Sequence, residues 1–375
     1  MRTSTSDPLP LRLGYGTNGL ADLRLDDALA LLADLGYDGV GLTLDHMHLD
    51  PLAPDLAART AKLAARLAEL GLAVTVETGA RYVLDPRRKH GPSLLDPEPE
   101  DRGRRVALLL RAVRVAADLG AHAVHCFSGV IPPGTDEDAA WMRLAEALNP
   151  VLAAAEASRV ALAIEPEPGH LLADLAGFHR LRRLLGDPRP LGLTLDIGHC
   201  QCLEPLPPAD CVREAAPWLR HVQIEDMRRG VHEHLPFGEG EIDFPSVLAA
   251  LAAADYRGLT VVELPRHSHA GPRYAEHSLS FLHRAAHTAG VATTARATAG
   301  ARITTATAAS AAPPPSAPTA AAPTETSPPA TTRPLAESRP SAATRPLVET
   351  SLPATTDAPA TSPSATATAT EGSTA

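Results

Sequence analysis

Four polar side chains in the second half of the chain, Glu165, Asp196, Gln223 and Glu263, each lie at the end of a short apolar run. Taken singly, an acid at such a position would most simply cap a helix or pair with an arginine. Three carboxylates held together, however, repel one another unless a positive charge lies between them. A divalent cation supplies that charge, and oxygen ligands suit Mn²⁺ or Mg²⁺, with Co²⁺ as a further choice. The residue types therefore predict a metal site, provided that the fold brings the four side chains together.

These apolar runs belong to a pattern that occurs eight times, a short apolar run followed by a longer amphipathic segment. The predicted strands are residues 11–16, 39–43, 72–77, 122–126, 160–165, 192–195, 219–224 and 259–263. Three of the intervening helices stop at a glycine, namely Gly36, Gly71 and Gly120, as helix C-termini commonly do. Strands that alternate with helices predict a parallel sheet, and eight is the number of strands that closes a (β/α)₈ TIM barrel.

A barrel would place the four polar side chains at one rim, because barrel enzymes carry their active sites at the C-terminal ends of the strands. The competing arrangement is an open, doubly wound sheet. No Gly-x-Gly-x-x-Gly follows the first strand, and the commonest nucleotide-binding signal of such a sheet is therefore missing. We therefore expect one barrel over residues 11–289.

Short motifs surround the four residues and continue beyond them. They are Ile164-Glu165-Pro166, Leu195-Asp196-Ile197-Gly198-His199, His232-Glu233-His234, Phe237-Gly238-Glu239-Gly240-Glu241-Ile242-Asp243-Phe244 and Val261-Val262-Glu263. With these motifs the chain resembles, over roughly residues 11–286, the xylose-isomerase-like sugar phosphate isomerase and epimerase superfamily. The resemblance implies a TIM barrel in which the four residues bind a divalent metal, while Glu165 and Glu263 also move protons.

The resemblance also implies a reaction. Ketose epimerases of this group usually have a histidine where this chain has Gln223, whereas the hydroxypyruvate-isomerase-like branch has a glutamine there. A metal polarises the carbonyl group, and two carboxylates on opposite sides of the substrate remove and return a proton. Return to the same carbon epimerises the substrate, and return to the neighbouring carbon isomerises it. The leading expectation is an isomerase or epimerase of a small sugar or sugar phosphate.

A second set of side chains allows a different reaction. His199 follows Asp196 by three residues, and His232 and His234 lie on the loop after the seventh strand. The apurinic-endonuclease-like branch of the same superfamily uses a histidine and an Asp-x-His pair at these positions for an additional zinc. His125 and Glu77, at the ends of strands four and three, could complete a further metal position. A multinuclear zinc phosphoesterase is therefore an alternative. In the remaining interpretation these histidines hydrogen-bond the substrate or one another.

Basic residues cluster after two of the predicted strands. They are Arg81, Arg87, Arg88 and Lys89 after the third strand, and Arg228 and Arg229 after the seventh. Such side chains can bind a phosphate or carboxylate group of a substrate. Alternatively, the first loop is solvated and its charges pair with acids nearby. Phosphorylated and unphosphorylated sugars both remain open.

Composition separates the end of the chain from the rest. Residues 290–375 are mostly Ala, Thr, Pro and Ser and contain no Phe, Trp or Tyr, which predicts a disordered tail. Residues 291–375 carry five arginines and five acids, so the net charge of −10 falls on the barrel. An acidic barrel argues against binding of nucleic acid, which needs a basic face. A third reading, supported by the tail, is a non-catalytic barrel that binds a metabolite.

The remaining features concern the cell and the assembly. No apolar run is long enough to cross a bilayer, so we expect no membrane partner. The four cysteines form no pattern typical of secreted proteins, and a reducing cytoplasm is the simplest compartment. The sequence leaves the oligomeric state open, although barrels of this type often form homodimers.

Overall fold

Eight parallel strands close into a barrel in the computed structural model, which describes residues 9–294. In chain order the strands are β1 (Arg12–Gly16), β2 (Gly39–Thr43), β3 (Ala73–Glu77), β4 (Ala123–Phe127), β5 (Ala161–Glu165), β6 (Leu191–Asp196), β7 (Leu219–Ile224), β8 (Asp226–Arg228), β9 (Val231–Leu235) and β10 (Leu259–Val262). Strands β8 and β9 form a separate antiparallel hairpin. The other eight follow one another around the barrel, and β10 pairs with β1 through Arg12 and Leu259, which closes it. The predicted TIM barrel is confirmed.

Helices cover the outside of the strands. They are α1 (Leu25–Leu35), α2 (Leu56–Leu70), α3 (Pro99–Leu119), α4 (Glu137–Ser158), α5 (Leu175–Leu185), α6 (Ile197–Leu203), α7 (Pro208–Ala215), α8 (Phe244–Ala253) and α9 (Gly271–Ala289). Helix α1 ends at Gly36 with φ 103° and helix α3 at Gly120 with φ 70°, the left-handed conformation that favours glycine. None of the described helices is both long enough and apolar enough to span a membrane.

Along each strand, the side chains point alternately into the barrel lumen and into the layer beneath the helices. On β7, Val222 and Ile224 join the apolar core, whereas His221 reaches across the lumen. Its Nε2 lies 3.0 Å from Oε1 of Glu77 on β3, a strand on the other side of the barrel. Because side chains two residues apart share one face of a strand, the polar residues at the strand ends point into the lumen as well.

The structure differs from the sequence prediction directly after β6 and β7. Helix α6 begins immediately after Asp196, whose side chain accepts a hydrogen bond of 2.8 Å from the backbone N–H of His199 and so caps the helix. After β7 the expected loop is the β8–β9 hairpin, which turns at Gly230 with φ 73°. His232 and His234 therefore lie two residues apart on a strand, where their side chains share a face.

The described residues continue to residue 294, past the predicted end of the barrel at residue 289. Thr293 pairs with Leu11 just before β1, and the backbone N–H of Leu11 donates to the carbonyl oxygen of Ala292 at 2.8 Å. The predicted tail lies, from residue 295 onward, outside the described residues.

Candidate active site

A cavity of about 370 Å³ opens at the C-terminal ends of the barrel strands. Glu165, Glu263 and His125 are among the residues that line it, so the cavity coincides with the predicted site. A larger cavity of about 800 Å³ lies near Arg12 and Arg220, at the end of the barrel where the strands begin. None of the predicted ligands lines that larger cavity. The predicted catalytic residues Glu165 and Glu263 therefore line the smaller cavity.

Glu165, the last residue of β5, is buried, and a histidine ring lies close to each of its two carboxylate oxygens. Its Oε2 lies 2.6 Å from Nε2 of His125, while the backbone N–H of Thr78 approaches Nδ1 of the same ring at 3.4 Å. This arrangement leaves the ring proton on Nε2, which donates to the carboxylate. Oε1 of Glu165 has no hydrogen-bond partner. Burial, followed by the charges of Asp196 and Glu77, raises the pKa of Glu165 well above its ordinary value.

Glu263 follows β10 and lies at the edge of the cavity. The side-chain amide of Asn18 donates to Oε1 of Glu263 at 2.9 Å and orients the carboxylate. Burial, followed by the charge of Glu165 and then those of Glu77 and Asp196, raises the pKa of Glu263 well above its ordinary value. Glu263 and Glu165 are thus close enough to interact electrostatically, and each is oriented by one neutral donor.

Asp196 and Gln223 are neighbours, since they pair in the register of β6 and β7. Both are buried, and neither Oδ2 of Asp196 nor Oε1 of Gln223 has a hydrogen-bond partner. A buried polar oxygen without a partner is costly, so native structures usually satisfy it with a donor or an ion. Oε1 of Glu165 is also unsatisfied, but among the described residues the donor atoms of Glu165 group with those of Glu167 and His199, and not with Asp196.

Glu225, which the sequence prediction overlooked, lies among these residues. It comes two residues after Gln223, is fully buried, and has no hydrogen-bond partner on either carboxylate oxygen. One donor atom from each of four residues lies within 4.8 Å of the others, and these residues are Asp196, Glu225, His234 and Glu263. Burial, followed by the charges of Asp196 and Glu263, raises the pKa of Glu225 well above its ordinary value. The alternation of β7 was the signal that could have revealed it.

The predicted histidines also meet. One nitrogen each of His199, His232 and His234 lies within 4.8 Å of the others. Nδ1 of His199 donates to the carbonyl oxygen of Pro166 at 3.1 Å, and Nε2 of His199 lies 3.0 Å from Nε2 of His232. Burial, followed by the charge of His199, lowers the pKa of His232 to about 4. Burial also lowers the pKa of His234 to about 3. The rings of His232 and His234 are therefore neutral near pH 7, the form that binds metals.

A third group consists of Glu165, Glu167 and His199, whose donor atoms also lie within 4.8 Å of one another. Burial raises the pKa of Glu167 to about 7. Glu77, in contrast, already has protein partners, because it accepts hydrogen bonds from His221 at 3.0 Å and from Thr43 at 3.3 Å. The structure thus places Glu77 in the lumen, apart from the three groups of donors found among the described residues.

The predicted basic residues separate into two sets. Arg81 lines the cavity together with Lys89 and with Arg266, which the sequence prediction did not single out. None of these three cations forms an ion pair with a carboxylate of the described residues. Arg266 could have been predicted from the sequence, because it follows Glu263 by three residues at the end of the last barrel strand.

The other four predicted arginines lie away from the cavity lining, and one of them, Arg229, donates to the carbonyl oxygen of Glu204. Arg88 forms ion pairs with Asp96 and with Asp101, the latter at 3.1 Å. Arg87 is exposed. Arg228, also exposed, donates to the carbonyl oxygen of Glu239 at 2.7 Å. The cations that face the cavity are therefore Arg81, Lys89 and Arg266.

Known proteins share both the sequence and the fold. A putative L-ribulose-5-phosphate 3-epimerase of Escherichia coli K12, SgbU, is 26% identical over 261 residues, 68% of this chain and 88% of that protein. The D-allulose 3-epimerase from Methylomonas sp., solved with D-allulose, superimposes with a TM-score of 0.59 at 21% identity, covering 75% of this chain and 99% of that one. The IolI protein with a bound zinc atom gives a TM-score of 0.59 at 15% identity, with 74% and 99% covered.

A family model points the same way as the closed barrel and its polar rim. The model described as the xylose isomerase-like TIM barrel matches residues 29–285, which is more than half of the chain. The protein therefore belongs to the xylose isomerase-like TIM barrel family.

Proposed function

We propose that the protein is a divalent-metal-dependent sugar isomerase or epimerase in which Glu165 and Glu263 transfer the proton. The observation that carries this proposal is the pair of carboxylates at one cavity, each oriented by a single neutral donor. His125 holds Glu165 and Asn18 holds Glu263, and an oxygen of Glu165 remains without a partner. The family membership and the epimerases among the relatives support the same class of reaction.

The metal ligands proposed for this site are Glu165, Asp196, Gln223 and Glu263. Their buried oxygens without partners support this assignment for three of them, namely Glu165, Asp196 and Gln223. A divalent cation bound there would polarise the substrate carbonyl and stabilise the negative charge of the enediolate. Mn²⁺, Mg²⁺ and Co²⁺ suit oxygen ligands, and the zinc bound to IolI shows that a relative of this fold holds a divalent metal.

Proton transfer needs one carboxylate on each face of the substrate. One of the two glutamates removes the proton from the carbon next to the carbonyl, and the other returns a proton from the opposite face. The carbon–hydrogen bond is broken and remade, so no atom is gained or lost.

The substrate is proposed to carry an anionic group, most simply a phosphate. Arg81, Lys89 and Arg266 provide three unpaired cations at the mouth of the cavity, whereas its floor is made of carboxylates. A molecule with a hydroxy-carbonyl group at one end and a phosphate at the other matches this division. The curated relative SgbU, which is named for a sugar phosphate, supports the choice.

Solvent deuterium uptake tests the proposal. The protein is loaded with Mn²⁺ and incubated in ²H₂O with L-ribulose 5-phosphate and with other ketose phosphates. We expect deuterium at a carbon next to the carbonyl group, together with the epimer or isomer. Sugar phosphates that return without deuterium, from protein that holds its metal, would contradict the proposal.

A multinuclear zinc phosphoesterase is the second candidate, and the convergence of His199, His232 and His234 favours it. Plasma mass spectrometry of the purified protein separates the two functions. One metal per chain supports the isomerase or epimerase. Two or three zinc ions per chain, with release of phosphate from phosphoesters, support the second candidate. Protein that binds sugars but takes up no metal would instead be a non-catalytic binding barrel.

A further inference from the structure

We propose that Glu225 and His234 are additional ligands of the cation, beside Asp196 and Glu263 of the ligand set proposed above. The inference rests on the proposed function, because it concerns the same site. It differs from the ligand set implied by family resemblance in two respects: a fourth acidic side chain enters the site, and one donor is an imidazole nitrogen.

The surroundings of Glu225 are the first argument. The residue follows β7 directly and is fully buried, and neither carboxylate oxygen accepts a hydrogen bond from an N–H or hydroxyl donor. Its carboxyl group lies within hydrogen-bonding reach of that of Asp196. Its one ion-pair contact among the described residues is with Nδ1 of His234, at 3.5 Å. That nitrogen is itself buried and has no hydrogen-bond partner. These groups contact one another but accept no hydrogen bond from a protein donor, so a cation between Glu225, His234 and Asp196 would satisfy all three.

The space that the chain leaves for Glu225 is the second argument. Gly198 lies in the first turn of α6, and a Cβ atom at this position would overlap with Oε1 of Glu225. The backbone of Gly198 is not in the left-handed region, so its conformation does not require glycine. Glycine is needed here for space alone, and that space is occupied by the carboxylate of Glu225 and by the end of the Met227 side chain. The turn that carries Asp196 thus also accommodates Glu225.

The composition of the set is the third argument. Its donor atoms, three carboxylate oxygens and one imidazole nitrogen, all lie within 4.8 Å of one another. Mg²⁺ favours oxygen ligands alone, whereas Mn²⁺, Co²⁺ and Zn²⁺ accept an imidazole. The proposed set therefore selects a transition metal over Mg²⁺.

Metal affinity tests the inference without reference to turnover. The full chain is freed of metal with a chelator, and binding of Mn²⁺ is measured by titration calorimetry. We expect Glu225→Gln, which keeps the size of the side chain, to weaken Mn²⁺ binding by about 10-fold or more. The matched control is Glu233→Gln, because Glu233 is exposed on the same hairpin. The control should bind Mn²⁺ like the unaltered protein.

Two further readouts keep the test decisive. Metal-free Glu225→Gln should melt at a higher temperature than the metal-free unaltered protein, because a buried carboxylate without a partner is removed. Addition of Mn²⁺ should then raise its melting temperature by less. Gly198→Ala keeps every donor but displaces the carboxylate of Glu225, so it should also weaken Mn²⁺ binding.

The outcomes separate the inference from the proposed function. Mn²⁺ affinity in Glu225→Gln within a factor of two of the unaltered protein would overturn the inference and leave the proposed function intact. Failure of the unaltered protein to bind any of Mg²⁺, Mn²⁺, Co²⁺ and Zn²⁺ would overturn both. Equal affinity of the unaltered protein for Mg²⁺ and Mn²⁺ would contradict the imidazole ligand.

Discussion

Nε2 of His125 lies 2.6 Å from Oε2 of Glu165, and both residues are buried in the barrel lumen. The N–H of Thr78 approaches the other ring nitrogen at 3.4 Å, so the proton on Nε2 points at the carboxylate. His125 therefore fixes the direction of Glu165 and favours its ionised form, against the effect of burial. The proton transfer that we propose for Glu165 therefore depends on the position of His125 on β4.

Removal of either proton-transfer group should abolish most of the turnover. Glu165→Gln and Glu263→Gln preserve shape but cannot exchange a proton, and we expect kcat to fall by about 10²–10⁴-fold. Steady-state kinetics at saturating metal measure the effect. Glu146→Gln, an exposed change on α4, is the control and should leave kcat unaltered. Full turnover in either of the first two variants would rule out the two-carboxylate mechanism.

Loss of the donor to Glu165 should change the pH profile. His125→Phe removes the hydrogen bond that favours the carboxylate, so the pKa of Glu165 should rise further. Because a base must be ionised to accept a proton, the acidic limb of kcat/KM should move to higher pH. His125→Gln keeps a side-chain donor and should recover part of the shift. An acidic limb that stays in place in His125→Phe would refute this role.

The cations at the cavity mouth should affect binding of phosphorylated sugars alone. Arg81→Ala and Arg266→Ala should raise KM for a ketose phosphate by about 10-fold, the loss of one charge-assisted hydrogen bond. KM for the unphosphorylated ketose should not change. Arg87→Ala is the matched control, because Arg87 is exposed outside the cavity lining. Equal effects on both ketoses would show that these arginines do not bind phosphate.

Metal-free protein should lose stability as the pH rises from 7 to 8. Burial raises the pKa of Glu167 to about 7, and that of Glu225 well above its ordinary value. A carboxyl group whose folded-state pKa is raised stabilises the fold below its unfolded-state pKa, and this contribution is lost as pH rises through the folded-state pKa. His232 and His234, with pKa values lowered to about 4 and about 3, are largely neutral in both states in this window.

Calorimetry with a chelator at both pH values measures this effect. We expect a lower melting temperature at pH 8, by about 2–4 °C for each kcal/mol of stability lost. Glu167→Gln should flatten the slope. With bound Mn²⁺ the trend should reverse, because deprotonated carboxylates bind the ion. An unchanged or higher melting temperature of the metal-free protein at pH 8 would contradict the prediction.

The fold was predictable because strand and helix periods are local properties of the sequence. Gly36, Gly71 and Gly120 marked the ends of three helices correctly, and all eight barrel strands were found. The β8–β9 hairpin was missed because both strands are short and β9 is largely exposed, so the hairpin lacks the alternation of apolar residues by which strands are recognised.

The candidate site was predictable only as far as strand ends reveal it. Asp196 and Glu165 follow apolar runs and were found in this way. Glu225 lies one residue beyond β7, and nothing in its type distinguishes it from the neighbouring Asp226. Only the three-dimensional structure reveals that Asp226 accepts backbone hydrogen bonds from Gly238 and Ile242, whereas Glu225 accepts none. The separation of Arg88 from Arg81 likewise depends on ion pairs between distant segments.

The pairing of Leu11 with Thr293 has a consequence for the order of the chain. Because these residues are neighbours beside the start of β1, a short peptide could join the two ends of the barrel. New ends could then be opened between Gly186 and Asp187, an exposed turn between α5 and β6. Such a circular permutant would assemble the same ring from a different starting strand. The site at the rim requires that the same strands remain neighbours in the barrel, and this permutant keeps every pair of neighbouring strands.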